Sequence, residues 1–92
     1  MPNVFVIGGY HVYFWSNEGV PLEPIHVHIC EGTPQADATK VWITKDHKVR
    51  LCHNKSNISE RNLKHIMAFI ETNVDMVISK WLFYFHAISY IQ

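Results

Sequence analysis

Net charge is the first thing this sequence lacks. Eight Lys and Arg residues balance eight Asp and Glu over 92 positions. No global field therefore draws the chain to nucleic acid or to an acidic membrane surface. Cysteine is scarce as well. Cys30 and Cys52 are the two in the chain, too few for a disulfide framework, and free thiols in a reducing compartment are expected. Long apolar runs are missing too. The longest, Trp81 to Ile91, is interrupted by His86 and Ser89 and falls well short of the ~20 residues of a bilayer-spanning helix. Met1–Ile7 carries neither a basic segment nor a small-residue cleavage site, so no secretory signal and no membrane association are expected, and the expected location is cytoplasmic. Gly8, Gly9, Gly19 and Gly32 read as turn glycines, because no helix follows any of them closely enough to make a phosphate loop.

What is present is a globular composition with one excess. The apolar fraction is 48% and the mean hydropathy is −0.04, which excludes a disordered, solvated chain. A chain of this length folds as one domain spanning residues 1–92, burying roughly 60–65% of its unfolded surface around one core. The excess is seven histidines, which make charge climb steeply below neutral pH.

The densest chemistry lies in Pro24-Ile25-His26-Val27-His28-Ile29-Cys30-Glu31. At a period of two, Ile25, Val27 and Ile29 share one face, and His26, His28 and Cys30 share the other. Pro24 opens such a strand and Gly32-Thr33-Pro34 closes it. Upstream, Val4–Ile7 and Tyr10–Trp15 flank Gly8-Gly9, a hairpin signal. Tyr10, Val12 and Phe14 then oppose His11, Tyr13 and Trp15. Ser16-Asn17-Glu18-Gly19 breaks this strand, and Val20–Pro24 is a stiff, extended connection. Downstream, Thr39, Val41 and Ile43 alternate with Lys40, Trp42 and Thr44. Lys45-Asp46-His47 is a turn, Val49 and Leu51 alternate with Lys48, Arg50 and Cys52, and His53–Asn57 is a polar loop.

The period then changes. Ser59 is placed to cap a helix whose buried stripe is Leu63, Ile66, Met67 and Ile70, with Ile58 stapling to Leu63. Val74, Val77, Ile78, Trp81, Leu82 and Phe85 make a second stripe. Asn73 between them can end one helix and cap the next. Strands fill most of residues 1–53, and helices are expected over 58–72 and 74–88. The expected fold class is α+β: a five-stranded antiparallel meander followed by two C-terminal helices packed on its aliphatic face.

The opposite face is expected to be open and functional. Alternation places His11, Tyr13, Trp15, His26, His28, Lys40, Trp42, Lys48 and Arg50 there. Of these, Tyr13, Trp15, His26, His28, Trp42 and Arg50 are the candidate binding residues. On so solvated a face, His26→Ala is expected to cost less than about 1 kcal/mol. Aromatics in excess of what one small core uses suit a protein partner. The alternative is a metal-binding or RNA-directed hydrolase. His26 and His28 leave the same face roughly 6–7 Å apart along the backbone, so they could ligate one Zn²⁺ with Cys30 or His11, or act as general base and acid on RNA held by stacking. Nucleic acid is not favoured, since such a domain is usually basic. A His-x-His-x-His nucleotide hydrolase is excluded, because Cys30 holds the third position. Cys52, between Arg50 and His53, is expected to be an inert thiol.

Five stretches together resemble one family of small bacterial proteins, domain of unknown function 4160. They are Ile7-Gly8-Gly9-Tyr10, Phe14-Trp15-Ser16-Asn17-Glu18-Gly19, Pro24-Ile25-His26-Val27-His28-Ile29, Ala38-Thr39-Lys40-Val41-Trp42-Ile43, and Asn73 with Lys80-Trp81 and Tyr84-Phe85. The resemblance covers roughly residues 1 to 86 and implies no established activity, so it names no cofactor and leaves Zn²⁺ at His26 and His28 as the candidate. Its members stand alone and are often encoded beside another small domain. That implies a protein partner from an adjacent gene, in a regulatory or toxin–antitoxin-type pair. His86–Gln92 departs from the family by running past its usual end. This apolar tail is expected either to lengthen the last helix or to meet a partner.

Overall fold

The computed structural model describes residues 2–16 and 21–92. Five strands, β1 (Asn3–Ile7), β2 (Tyr10–Tyr13), β3 (His26–Glu31), β4 (Thr39–Ile43) and β5 (Val49–His53), precede α1 (Glu60–Thr72) and α2 (Val74–Phe85). The sheet runs in chain order, β1-β2-β3-β4-β5, with every neighbouring pair antiparallel. This is the α+β meander with C-terminal helices that the alternation predicted.

The aliphatic face is the one the period specified. Ile25, Val27, Ile29, Val41, Ile43, Val12 and Phe14 pack in one core with Leu63, Ile66, Ile70, Val74, Val77 and Trp81 of the helices. Each such aliphatic side chain contributes about 1.5–3 kcal/mol when fully withdrawn from water. The Gly8-Gly9 hairpin forms with Ile7 opposite Tyr10, and the positive φ it needs is supplied at Gly8, φ +58°.

The helix boundaries follow local chemistry. Ser59 caps α1 by accepting the Asn62 N–H at 3.2 Å, and Ile58 and Leu63 on either side of the cap are both buried in the core. Asn73 does end α1, yet it gives α2 no side-chain cap. Its Nδ2 turns back and donates to the Phe69 carbonyl at 2.9 Å. α2 stops at Phe85 rather than Ile88 because His86 takes a left-handed conformation and donates its N–H to the Leu82 carbonyl.

The tail therefore does not lengthen the helix. It folds back onto its own sheet, where the Ser89 carbonyl accepts the Ile25 N–H at 2.9 Å and Ile88 and Tyr90 pack against the core. β5 also departs from strict alternation. Lys40 faces His53 and Val41 faces Leu51, which leaves Cys52 as the extra residue of a bulge. His53 thus belongs to the strand instead of the polar loop, on the same side of the sheet as Lys40. Leu51 keeps its place on the aliphatic side, but at the sheet margin it is 40% exposed.

Val27 has no exposed surface and sits beneath both helices. Val27→Ala is expected to cost about 1–3 kcal/mol through the cavity it leaves, read as a shift in chemical-denaturation midpoint. Truncation after His86 is expected to lower stability by about 1–3 kcal/mol, because the Ile25 N–H loses its acceptor and Ile88 and Tyr90 lose their burial. Denaturation of the shortened chain with an unchanged midpoint would mean the tail is not seated on the sheet.

Candidate interaction surface

Antiparallel register arranges the second face of the sheet in transverse rows. One row is Tyr13, His28, Lys40 and His53, and the next is His26, Trp42 and Arg50. Each strand contributes one side chain per row because every second residue points to this side. The rows are joined by ring contacts. Trp15 meets Tyr13 edge-on at 5.5 Å, Tyr13 lies against His28 at 5.6 Å, His28 meets His26 at 5.1 Å, and His26 meets Trp42 at 5.8 Å. The Lys40 ammonium sits 4.4 Å above the Trp42 ring, a cation–π contact, and bonds Glu23 Oε1 at 3.0 Å.

This face is not open along its length, which corrects the alternation reading. Tyr13 and His26 have no exposed surface and His28 has 7%. The segment after β3 closes over Tyr13 and His28, while Pro24, Trp42 and Trp81 enclose His26. The Tyr13 hydroxyl donates to the Gln35 carbonyl at 2.8 Å and accepts the Gln35 N–H at 3.2 Å. Burial is the largest influence on that phenol and raises its pKa well above the ordinary value, so it remains the protonated donor this clasp requires. The Cys30 thiol points to the Thr33 carbonyl at 3.5 Å. Period-two alternation assigns a side chain to a face, and it carries no information about which loop returns to cover that face.

The two imidazoles are held by backbone. His26 Nδ1 lies 3.0 Å from the Pro24 carbonyl and His28 Nδ1 lies 3.4 Å from the Ala38 carbonyl. A carbonyl can only accept, so both rings carry a proton on Nδ1 in these bonds. His26 Nε2 is 3.9 Å from Glu23 Oε2. On its other side His26 meets Trp81 of α2 at 5.4 Å. β2 ends at Tyr13, opposite His28, so no β2 residue stands beside His26, and the helical layer reaches it past the end of the sheet. The cost expected for His26→Ala rises accordingly, to about 1–3 kcal/mol, since the change removes packing on two tryptophans and leaves a carbonyl without its donor.

The accessible part is a rim around this sealed strip. Trp15 and Trp42 are half-buried and Arg50 is exposed. Arg50 also lines an open cavity of about 460 Å³ with Thr44, Lys45, Asp46, Ile91 and Gln92. Of the six sequence-derived binding residues, Tyr13, His26 and His28 are interior, and Trp15, Trp42 and Arg50 lie at or near the surface. For a metal, no group of three or more His, Cys, Asp or Glu side chains converges among the described residues. His11 faces Cys30 across the strands. The simplest structural role for the two rings, hydrogen bonding to the Ser16–Glu18 loop, would fall at Asn17 and Glu18 outside the described residues.

Two members of the surface escaped the sequence reading. Glu23 was hidden in a proline-flanked connector. Its only signal was its position three residues before His26. His53 was hidden by the β5 bulge, which nothing in the alternation announces. Its pKa lies below the ordinary 6.5, first because burial penalises the imidazolium and then because Lys55, Lys40 and His28 lie near it.

Among the described residues no helix is long and apolar enough to cross a membrane. A meander sheet with both helices on one side and an aromatic, imidazole-bearing strip on the other defines a small α+β module whose central strand is closed on both faces. The model of the family described as Domain of unknown function (DUF4160) matches residues 9–82, most of the chain, and the protein belongs to that family. No curated protein and no solved structure matches it.

The depressed pKa of His53 sets a pH dependence with a definite sign. The unfolded chain binds this proton more readily than the native one. The corresponding stability is therefore complete above about pH 6.5 and is lost as pH falls below that value toward the native pKa. Urea midpoints measured as a series downward from neutral pH are expected to fall less steeply in His53→Gln than in the parent. Parallel curves would remove His53 as a contributor.

Proposed function

We propose that the protein is a small interaction or regulatory module that binds a protein partner through the rim Trp15–Trp42–Arg50. The observation that carries this reading is the arrangement at Trp42. It is a half-exposed tryptophan clamped by Lys40 and His26, with Arg50 directly across the ladder beside an open cavity. A Trp held against a packed base with an Arg beside it is the pairing of side chains that dominates protein–protein contacts. The rim charges offset one another, Lys40 being paired with Glu23, which suits a protein surface better than a phosphate backbone. A bacterial, cytoplasmic setting and a partner encoded by an adjacent gene, as in a toxin–antitoxin-type pair, complete the proposal and rest on the family's gene neighbourhood. The zinc or RNA-hydrolase alternative has less support. His26 and His28 are interior, each spends Nδ1 on a backbone carbonyl, and among the described residues no third donor joins them.

Co-expression and pull-down with the adjacent gene product, followed by amide-shift mapping, tests the proposal. Shifts are expected to cluster on residues 40–43 and 49–53. Trp42→Ala and Arg50→Glu are each expected to weaken binding by about tenfold or more, since a hot-spot side chain is worth at least ~2 kcal/mol, with melting little changed for Arg50→Glu. Shifts confined to Leu63–Ile70 or Val74–Phe85 would place the surface on the helices and overturn this assignment.

A further inference from the structure

The two margins of the sheet are built differently. β5 is guarded against strand addition. Glu71 of α1 takes the Val49 N–H at 3.1 Å, Cys52 is bulged, and Lys48 and Arg50 bring charge to that edge. Caps, bulges and cations are the devices by which edges are closed. β1 has no such guard at its centre. Asn3-Val4-Phe5-Val6-Ile7 contains no charged residue, the Lys80 ammonium bonds the Asn3 carbonyl at the start of the strand, and Val6 is 61% exposed. Ile7 and Tyr10 close the two-residue hairpin, so the backbone groups of Ile7 and Phe5 face β2 and those of Val6 face away from it.

We propose that β1 pairs with β1 of a second copy of this chain, antiparallel about a twofold axis at Val6, so that two five-stranded sheets become one. A twofold axis sets every residue of the strand against its own counterpart's mirror position. Val6 opposes Val6, and Phe5 opposes Ile7. Only the residue on the axis is set against itself, so a charge there would meet its like; Val6 is uncharged, as are Phe5 and Ile7 on either side of it. Val6 exchanges both backbone bonds with its twin, and its exposed side chain is covered by the same residue. On the helical side, Phe5 carries Phe69 edge-on at 5.1 Å. Phe69 is 42% exposed and lies where the incoming Ile7 arrives, so the core continues across the joint. The irregularity in β1 falls between Asn3 and Phe5, outside the Phe5–Ile7 segment that the axis uses. Because β5 is guarded, β1 cannot add to the β5 of another copy, and the assembly closes as a dimer instead of growing as a filament. This inference is independent of the rim at Trp42, which lies three strands away.

Light scattering of the full chain over a concentration series tests it. The expected mass at high concentration is twice the 10.8 kDa of one chain. Val6→Lys is expected to weaken association by about tenfold or more, since two ammonium groups then meet on the axis and each ~1.4 kcal/mol is tenfold. Arg50→Glu is expected to leave association unchanged. A second variant decides the matter if Val6→Lys fails to fold. Residues directly opposite in a hydrogen-bonded pair have Cα atoms about 5.5 Å apart, within disulfide reach, so Val6→Cys in a Cys52→Ser background is expected to cross-link on mild oxidation. A monomer throughout the series, a dimer indifferent to Val6→Lys, a dimer lost on Arg50→Glu, or no cross-link from a folded Val6→Cys chain would each overturn the proposal.

Discussion

Burial of β3 on both faces is the constraint on which the rest of this structure depends. Its first five residues are all buried, although the strand alternates aliphatic side chains with imidazoles and a thiol. One face is covered by two helices; on the other the segment after the strand covers His28 and Cys30, and Pro24, Trp42 and Trp81 enclose His26, so neither polar ring can rely on bulk water. Each uncompensated donor there would cost about 1–3 kcal/mol. The Pro24 and Ala38 carbonyls accept from the two Nδ1 atoms, and Thr33 takes the Cys30 thiol. The flanking loops are thus held by the strand they cover. Tyr13 grips Gln35 through both its donor and its acceptor capacity. Ser56 reaches from the loop after β5 to the Ile29 carbonyl, while Thr39 binds Asn54 and Ser56.

That double cover decides where chemistry can be displayed. The imidazoles form the floor of the molecule's polar side. What reaches solvent is the outer end of the ladder, where Trp42 is stiffened by neighbours on both sides, and the unguarded margin at β1. A rigid aromatic held at a surface loses little conformational freedom when a partner covers it, which is why preorganised tryptophans carry so much binding energy. The sheet separates these two surfaces. One is the rim at Trp42 and Arg50 proposed to meet a different protein, and the other is the uncharged strand β1 proposed to meet its own copy.

The tail and Trp81 show how far the core extends beyond the sheet proper. Trp81 packs on Phe14, Phe85 and His26, bridging the helical layer to the imidazole strip. The tail closes the start of β3 through Ser89. The family match ends at residue 82, so this closing segment lies outside the part of the chain that the family model describes.

The strands, their faces, the hairpin and the Ser59 cap were legible in the sequence because each is a local rule. A period of two separates Ile25, Val27 and Ile29 from His26, His28 and Cys30 without reference to anything distant. A serine before an apolar helical stripe caps whatever helix follows it. The exposure of the second face, the bulge that recruits His53, the reach of Trp81 to His26 and the return of the tail to Ile25 were decided by tertiary structure. Each depends on two segments far apart in sequence meeting in space. Alternation fixes the direction of a side chain, while burial and bonding depend on which other part of the chain arrives opposite it.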